Sequence, residues 1–234
     1  MNKKIVFGKK YELPYALEES INRLRVNVGF LGNDIKKIMI ISSEPNEGKS
    51  FVATNLWKQM SMAGEKSLLI DCDMRNSVLL RNYGIKEASN GKLRGTSHYL
   101  SDSSKIEDVI YSTEYENGDI LPNVDNVINP SMLLENKKFD EMLKYAEENY
   151  RYVFVDAPPL ELVSDGESIA SKCDGVILCI RGGVTSKQIV RNSISRLERA
   201  GCPILGVVLN RVNSTKKRYG KYYGKKYYYG KEGK

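Results

Sequence analysis

The segment Ile40-Ile41-Ser42-Ser43-Glu44-Pro45-Asn46-Glu47-Gly48-Lys49-Ser50 limits the possible folds of this chain more than any other. An apolar run enters a tight loop, and Gly-Lys-Ser then opens a helix whose Val52, Leu56 and Met60 recur every four residues. A strand, a loop and a helix start in that order make a phosphate cradle. The loop N–H groups point at the anion, and the helix dipole favours negative charge at the same place. Lys49 is spaced to reach the β- and γ-phosphates of ATP, and the Ser50 hydroxyl to ligate Mg²⁺. Glu47, Gly48, Lys49, Ser50 and Phe51 are therefore the candidate nucleotide-binding residues. The usual motif begins with Gly, and here Ser43 stands in that place.

The rest of the chain supplies a matching scaffold. Apolar runs at Ile38–Ile41, Leu68–Ile70, Tyr152–Val155, Val176–Ile180 and Ile204–Leu209 are unbroken rather than alternating. Parallel strands covered on both faces read in this way. Helical patterns lie between most of them. The clearest opens at Thr185 with Gln188 as a capping box, continues through Val190, Ile194 and Leu197, and stops at Gly201. Before the first run, Leu17, Ile21, Leu24, Val28 and Leu31 place one apolar stripe on a helix of about four turns. The expected fold is α/β, a doubly wound and mostly parallel sheet of the P-loop NTPase kind. Residues 84–130, rich in Ser, Asn, Gly and Asp, read as an excursion from the sheet edge.

Two acidic segments follow predicted strands: Asp71-Cys72-Asp73-Met74-Arg75 and Asp156-Ala157-Pro158-Pro159. Open α/β sheets bind ligands at the carboxyl ends of their strands, so both should converge on the Lys49 loop. Carboxylates beside a triphosphate require a cation between them, and hard oxygen donors suit Mg²⁺.

Composition excludes several alternatives. The net charge of +7 belongs to residues 216–234, which hold eight Lys/Arg against one Glu; the body carries 28 residues of each sign. A nucleic-acid groove would put the excess on the folded domain, so no nucleic-acid partner is expected. The four cysteines form no CxxC pair and have no neighbouring His, which argues against zinc and for buried thiols. His98, the single histidine, reads as a surface residue rather than a base. No run approaches the ~20 apolar residues of a membrane span, and no signal peptide is visible, so a cytoplasmic location is expected. Six of the fifteen tyrosines (Tyr219, Tyr222, Tyr223, Tyr227, Tyr228 and Tyr229) crowd a Gly/Lys-rich end lacking aliphatic residues. The organisation is thus a domain over residues 1–214, with its first helix at about 14–31, and a flexible tail over 215–234.

The Asp-x-Asp-x-Arg and Asp-Ala-Pro-Pro segments, joined to this loop, resemble those of the bacterial tyrosine kinases of capsule and exopolysaccharide synthesis. The resemblance continues through Asn129-Pro130-Ser131, Ser164-Asp165-Gly166, Cys173-Asp174-Gly175 and Gly206-Val207-Val208-Leu209-Asn210, and covers roughly residues 15–230. It implies ATP- and Mg²⁺-dependent phosphorylation of protein tyrosines, among them the six of the tail. Lys49, Asp71, Asp73 and Asp156 are its implied catalytic residues. Ser50, Asp73 and Asp156 would serve the metal, and Asp71 would orient or deprotonate the incoming hydroxyl; Asp71 and Asp73 could exchange these roles. Asn210 is a candidate for the adenine edge. The implied partners are a membrane-anchored polysaccharide co-polymerase-type activator, which would hold the chain at the inner face of the cell membrane, and further copies of the chain in a homo-oligomer, in the family a ring. The ring-forming Glu-x-x-Arg-x-x-Arg of the family aligns with Glu19, Asn22 and Arg25, so its middle Arg is replaced here. Rival functions are a positioning-type ATPase, whose signature lysine position is Glu44 here, and a nucleotide-gated adaptor.

Overall fold

A computed structural model describes residues 3–212; the tail tyrosines lie outside the described residues. The N-terminal segment holds β1 (Ile5–Phe7) and α1 (Tyr15–Gly29). The phosphate-loop unit follows as β2 (Lys37–Ser42), α2 (Lys49–Met62) and β3 (Ser67–Asp71). The excursion contains α3 (Leu79–Tyr83), β4 (Ile85–Glu87), α4 (Thr96–Leu100), β5 (Tyr111–Ser112) and β6 (Gly118–Leu121). The remainder is α5 (Ser131–Leu134), α6 (Lys137–Asn149), β7 (Tyr152–Asp156), α7 (Asp165–Ala170), β8 (Gly175–Arg181), α8 (Lys187–Arg199) and β9 (Ile204–Asn210).

Seven strands form one sheet in the order β5-β6-β3-β7-β2-β8-β9, parallel except for β5. The expected α/β architecture is the observed one. Strands β2, β3 and β7 are buried almost throughout, so their unbroken apolar runs meet protein on both faces. One face packs under α6, α7 and α8 around Phe139, Met142 and Leu197. The other packs under α1 and α2 around Leu56 and the fully buried Trp57. Burying a side chain the size of Trp57 contributes on the order of 1.5–3 kcal/mol.

Three sequence expectations need correction. The run Ile204–Leu209 forms an edge strand, and Val207 and Leu209 are about half exposed, so it is not covered on both faces. The 84–130 excursion is partly sheet: β6 pairs with β3 in parallel, and β4 pairs with β1 in a separate two-stranded ribbon. These strands are three or four residues long, too short to register as apolar periodicity. The cap of α8 is Ser186, which accepts from the Ile189 N–H, because Thr185 is drawn away to Glu47.

The stripe on α1 behaves as expected: Ile21 and Val28 are buried, and α1 packs on α2, with Val28 in the cluster that holds Leu56 and Trp57. Asn22 accepts from Arg25 Nε at 3.0 Å, so the residue replacing the expected Arg ties up its neighbour one turn on. His98 is half-buried rather than a free surface residue. Its Nδ1 accepts from the Gly95 N–H, and its Nε2 lies 3.2 Å from Asp125. Cys72, Cys179 and Cys202 are buried free thiols, as expected, with Cys173 half-buried.

Candidate active site

Strands β2, β3 and β7 are adjacent and parallel, so Ser42, Asp71 and Asp156 end on the same edge of the sheet. Asp71 and Asp156 are register partners, which brings two distant acidic segments side by side. The loop after β2 curls over this edge. Asn46 and Gly48 both take positive φ, 63° and 94°. Gly48 is constrained twice, because a Cβ there would also stand 2.2 Å from the Asn210 side-chain nitrogen. The Ser43 departure from the usual glycine is accommodated because this position has no positive φ, and its hydroxyl accepts from Ser193 on α8 at 2.8 Å.

Helix α2 begins with a Val52 N–H to Gly48 C=O bond, so the N–H groups of Lys49, Ser50 and Phe51 have no partner within the helix. They are the donors a phosphate would use. The Glu47 side chain points elsewhere: its carboxylate accepts from the N–H groups of Glu44 and Arg181 and from the Thr185 hydroxyl. It braces the loop against β8, which leaves only its backbone to face a ligand. Asn210 donates to the Glu47 carbonyl at 2.8 Å and accepts from the Arg211 N–H. Both ends of its carboxamide are thus occupied, the nitrogen in holding the loop and the oxygen on its own neighbour.

Behind the loop lies a buried charge cluster. Lys49 Nζ donates to Asp73 at 2.8 Å, to Asp156 at 3.3 Å and to the Ser50 hydroxyl at 3.3 Å. Burial works against the ammonium, but Asp156 and Asp73 outweigh it and hold its pKa above the ordinary lysine value. Burial raises the pKa of Asp156, with Lys49 opposing. Asp71 is fully buried and also raised, by burial first and by Asp156 second. Its carboxylate accepts from Ser77 Oγ at 2.5 Å and from the Asp73 N–H at 3.1 Å. A cleft of about 430 Å³ opens from Lys49, Ser50 and Asp73, with Arg75, Arg81, Arg211, Pro158 and Leu162 on its walls. That volume suits a nucleotide-sized ligand.

Sequence reading placed Lys49, Ser50, Asp71, Asp73 and Asp156 together, and the structure brings all five to one strand edge. It did not find Ser77 on Asp71, nor Thr96, whose hydroxyl donates to the Asp71 carbonyl at 2.8 Å. Thr96 sits in the irregular excursion, where no pattern marks it.

Comparisons with known proteins agree with this geometry. A family model described as an AAA domain matches residues 35–199. The tyrosine-protein kinase CpsD of Streptococcus agalactiae is 35% identical over 211 residues, which is 89% of this chain and 90% of that protein. The chain belongs to the bacterial tyrosine-protein kinase family. Membership makes it a P-loop enzyme of the tyrosine-protein kinase class. The crystal structure of the VpsO kinase domain superposes with a TM-score of 0.76 at 32% identity, covering 85% of this chain and 97% of that one. A more distant neighbour is the septum site-determining protein MinD of Pyrococcus horikoshii, complexed with Mg-ADP. It gives a TM-score of 0.66 at 25% identity, over 78% of this chain and 72% of that one.

The donor set in this family member fits a magnesium ion. Among the described residues no three His, Cys, Asp or Glu side chains form a metal cage. Magnesium bound with a nucleotide does not need one, since it takes one or two carboxylates and completes its shell with phosphate and water. Asp73, Asp156 and the Ser50 hydroxyl supply hard oxygens of that kind around Lys49. Lys49 is the cation that balances those carboxylates in this structure.

Proposed function

We propose that this chain uses ATP and Mg²⁺ to phosphorylate protein tyrosines, including Tyr219, Tyr222, Tyr223, Tyr227, Tyr228 and Tyr229 of its own tail, and thereby regulates capsular or exopolysaccharide synthesis. The observation that carries the proposal is Lys49, held by Asp73 and Asp156 at a helix start whose first three N–H groups have no partner within the helix. A triphosphate on the amides of Gly48 to Phe51 would compete for that ammonium and draw it toward the β- and γ-phosphates. Ser50, Asp73 and Asp156 would hold the metal, which when bound would neutralise phosphate charge and fix the phosphate oxygens. Asp73 lines the cleft, which supports giving it to the metal and leaves Asp71, buried behind it, as the carboxylate for the tyrosine once the Ser77 side yields. The raised pKa of Asp71 makes it a stronger proton acceptor for a phenol, provided Ser77 yields its bond. Positioning and electrostatics of this sort are most of what phosphoryl transfer demands of a protein.

The proposed unit is a kinase domain over residues 1–214 with a tail over 215–234. No helix of the described residues is long and apolar enough to cross a membrane. In this reading a membrane-anchored activator recruits the chain to the inner face of the membrane. The exposed Tyr15 and Phe30 at the two ends of α1 offer apolar contacts for it or for another copy of the chain. Adding phosphates, each about −1.5 to −2 charges, would reverse the sign of the basic tail and switch such contacts.

The MinD likeness favours a second reading, a positioning ATPase that releases ADP and phosphorylates nothing. Glu44 in the signature lysine position argues against it. Incubating the protein with ATP and Mg²⁺ and assaying both phosphotyrosine and ADP decides between them. Phosphotyrosine on tail peptides supports the kinase, and ADP without phosphotyrosine overturns it.

A further inference from the structure

Three segments distant in sequence meet at one buried carboxylate beside the cleft. Asp165, 1% exposed at the start of α7, accepts from Arg75 Nε at 2.6 Å, from Arg75 Nη2 at 3.2 Å and from the Ser131 hydroxyl at 2.8 Å. Arg75 also donates from Nη1 to the Ile128 carbonyl at 3.1 Å. One turn therefore carries the whole arrangement: the 73–76 segment that leaves β3. Its backbone is held from the same side, as the Val127 N–H donates to the Met74 carbonyl at 2.7 Å. Within that turn the Asn76 N–H donates to Asp73 Oδ1 at 3.1 Å, while Asp73 Oδ2 accepts from Lys49.

We infer that Asp165 is a positioning residue that acts through Arg75 and the 73–76 turn to aim the Asp73 carboxylate into the cleft. The fork of the Arg75 guanidinium grips both oxygens of Asp165, a geometry that fixes direction as well as distance. Asp73 has one oxygen on Lys49 and one on the turn, so displacement of the turn moves the carboxylate proposed to serve the metal. Ser131 completes the clamp by orienting Asp165. This assigns work to the Asn129-Pro130-Ser131 and Ser164-Asp165-Gly166 segments, which lie outside the phosphate loop. The inference rests on the proposed magnesium site, since aiming Asp73 matters only if it meets a cation.

The test measures affinity for a fluorescent ATP analogue in EDTA and again in excess Mg²⁺, with melting by circular dichroism as the check on folding. Asp165→Asn is expected to leave the EDTA affinity unchanged and to shrink the gain from Mg²⁺ by about 10–100-fold, the usual effect of losing an outer partner of a ligand. Arg75→Lys, which keeps the charge but loses the fork, should shrink the gain from Mg²⁺ by the same factor, whatever it does to the EDTA affinity as a residue of the cleft wall, and carries the test if Asp165→Asn does not fold. Ser131→Ala should shrink the gain by a few fold. The double variant should be no worse than either single one, because both break one connection. Equal losses in EDTA and in Mg²⁺, a full Mg²⁺ gain in a folded variant, or losses that multiply would each overturn the inference. A wild-type Mg²⁺ gain without phosphotyrosine refutes the kinase reading and leaves the positioning role standing. No wild-type gain at all overturns both.

Discussion

Replacing Lys49 by methionine removes the only cation bonded to Asp73 and Asp156 among the described residues, while roughly preserving side-chain volume. The two contacts, at 2.8 and 3.3 Å, correspond to gross Coulomb energies of about 6 and 5 kcal/mol at an effective dielectric of ~20. Desolvation offsets most of that. The net loss on stripping one partner from a buried pair is about 3–5 kcal/mol. For a domain of this size each kcal/mol moves the Tm by roughly 2–4 °C, so Lys49→Met should fold but melt about 6–20 °C lower in EDTA at pH 8. The sign of the pH dependence follows from the carboxylates. The raised pKa of Lys49 keeps the stabilisation it provides fully present below the ordinary lysine pKa, so the wild type holds this term across neutral pH. In the variant, Asp156, already raised by burial, rises further. An acid raised above its unfolded value loses stability as pH climbs from ~4, the unfolded pKa, through its folded pKa. The Tm gap should therefore be smaller at pH 5.5 than at pH 8. Added Mg²⁺ should raise the Tm of the variant more than that of the wild type, because it can replace the missing counter-ion. Phosphotyrosine formation should fall by at least ~10²-fold, the scale of losing one donor to transferring charge. A variant with wild-type Tm at both pH values, or with normal phosphotyrosine while folded, would refute the reasoning.

Changing all six tail tyrosines to phenylalanine should abolish most self-phosphorylation and leave ATP-analogue affinity and Tm unchanged; phosphate found by mass spectrometry mainly on body tyrosines such as Tyr99, itself 7% exposed, would remove the tail from its role. Gly48→Ala should lose about 1–2 kcal/mol from its left-handed φ alone, plus the contact with Asn210, and should weaken nucleotide binding. Adding Asn210→Ala should recover only part of the loss in a urea melt, because it relieves the contact and not the dihedral angle. A cytoplasmic peptide of the membrane activator should raise the phosphotyrosine rate well above that of the chain alone, by favouring the nucleotide-receiving loop arrangement. An unchanged rate across peptide concentrations counts against this dependence.

The sequence by itself determined the central strands of the sheet and the identity of the charged cluster. Strands buried on both faces must be apolar throughout, so β2, β3, β7 and β8 were legible one by one. Because parallel strands end on the same edge, Lys49, Asp71, Asp73 and Asp156 could be placed together without knowing the strand order. Tertiary structure alone decided what each of those groups touches. The pairing of Asp71 beside Asp156 depends on β3 lying next to β7, an order that local patterns do not encode. Ser43 is tolerated because α8 delivers Ser193 to it, Glu47 turns away from the ligand because β8 offers the Arg181 N–H, and Asp165 finds Arg75 across 90 residues of chain. Such contacts leave no periodic trace, since each joins two single polar residues whose proximity is created only by the packing of the elements that carry them.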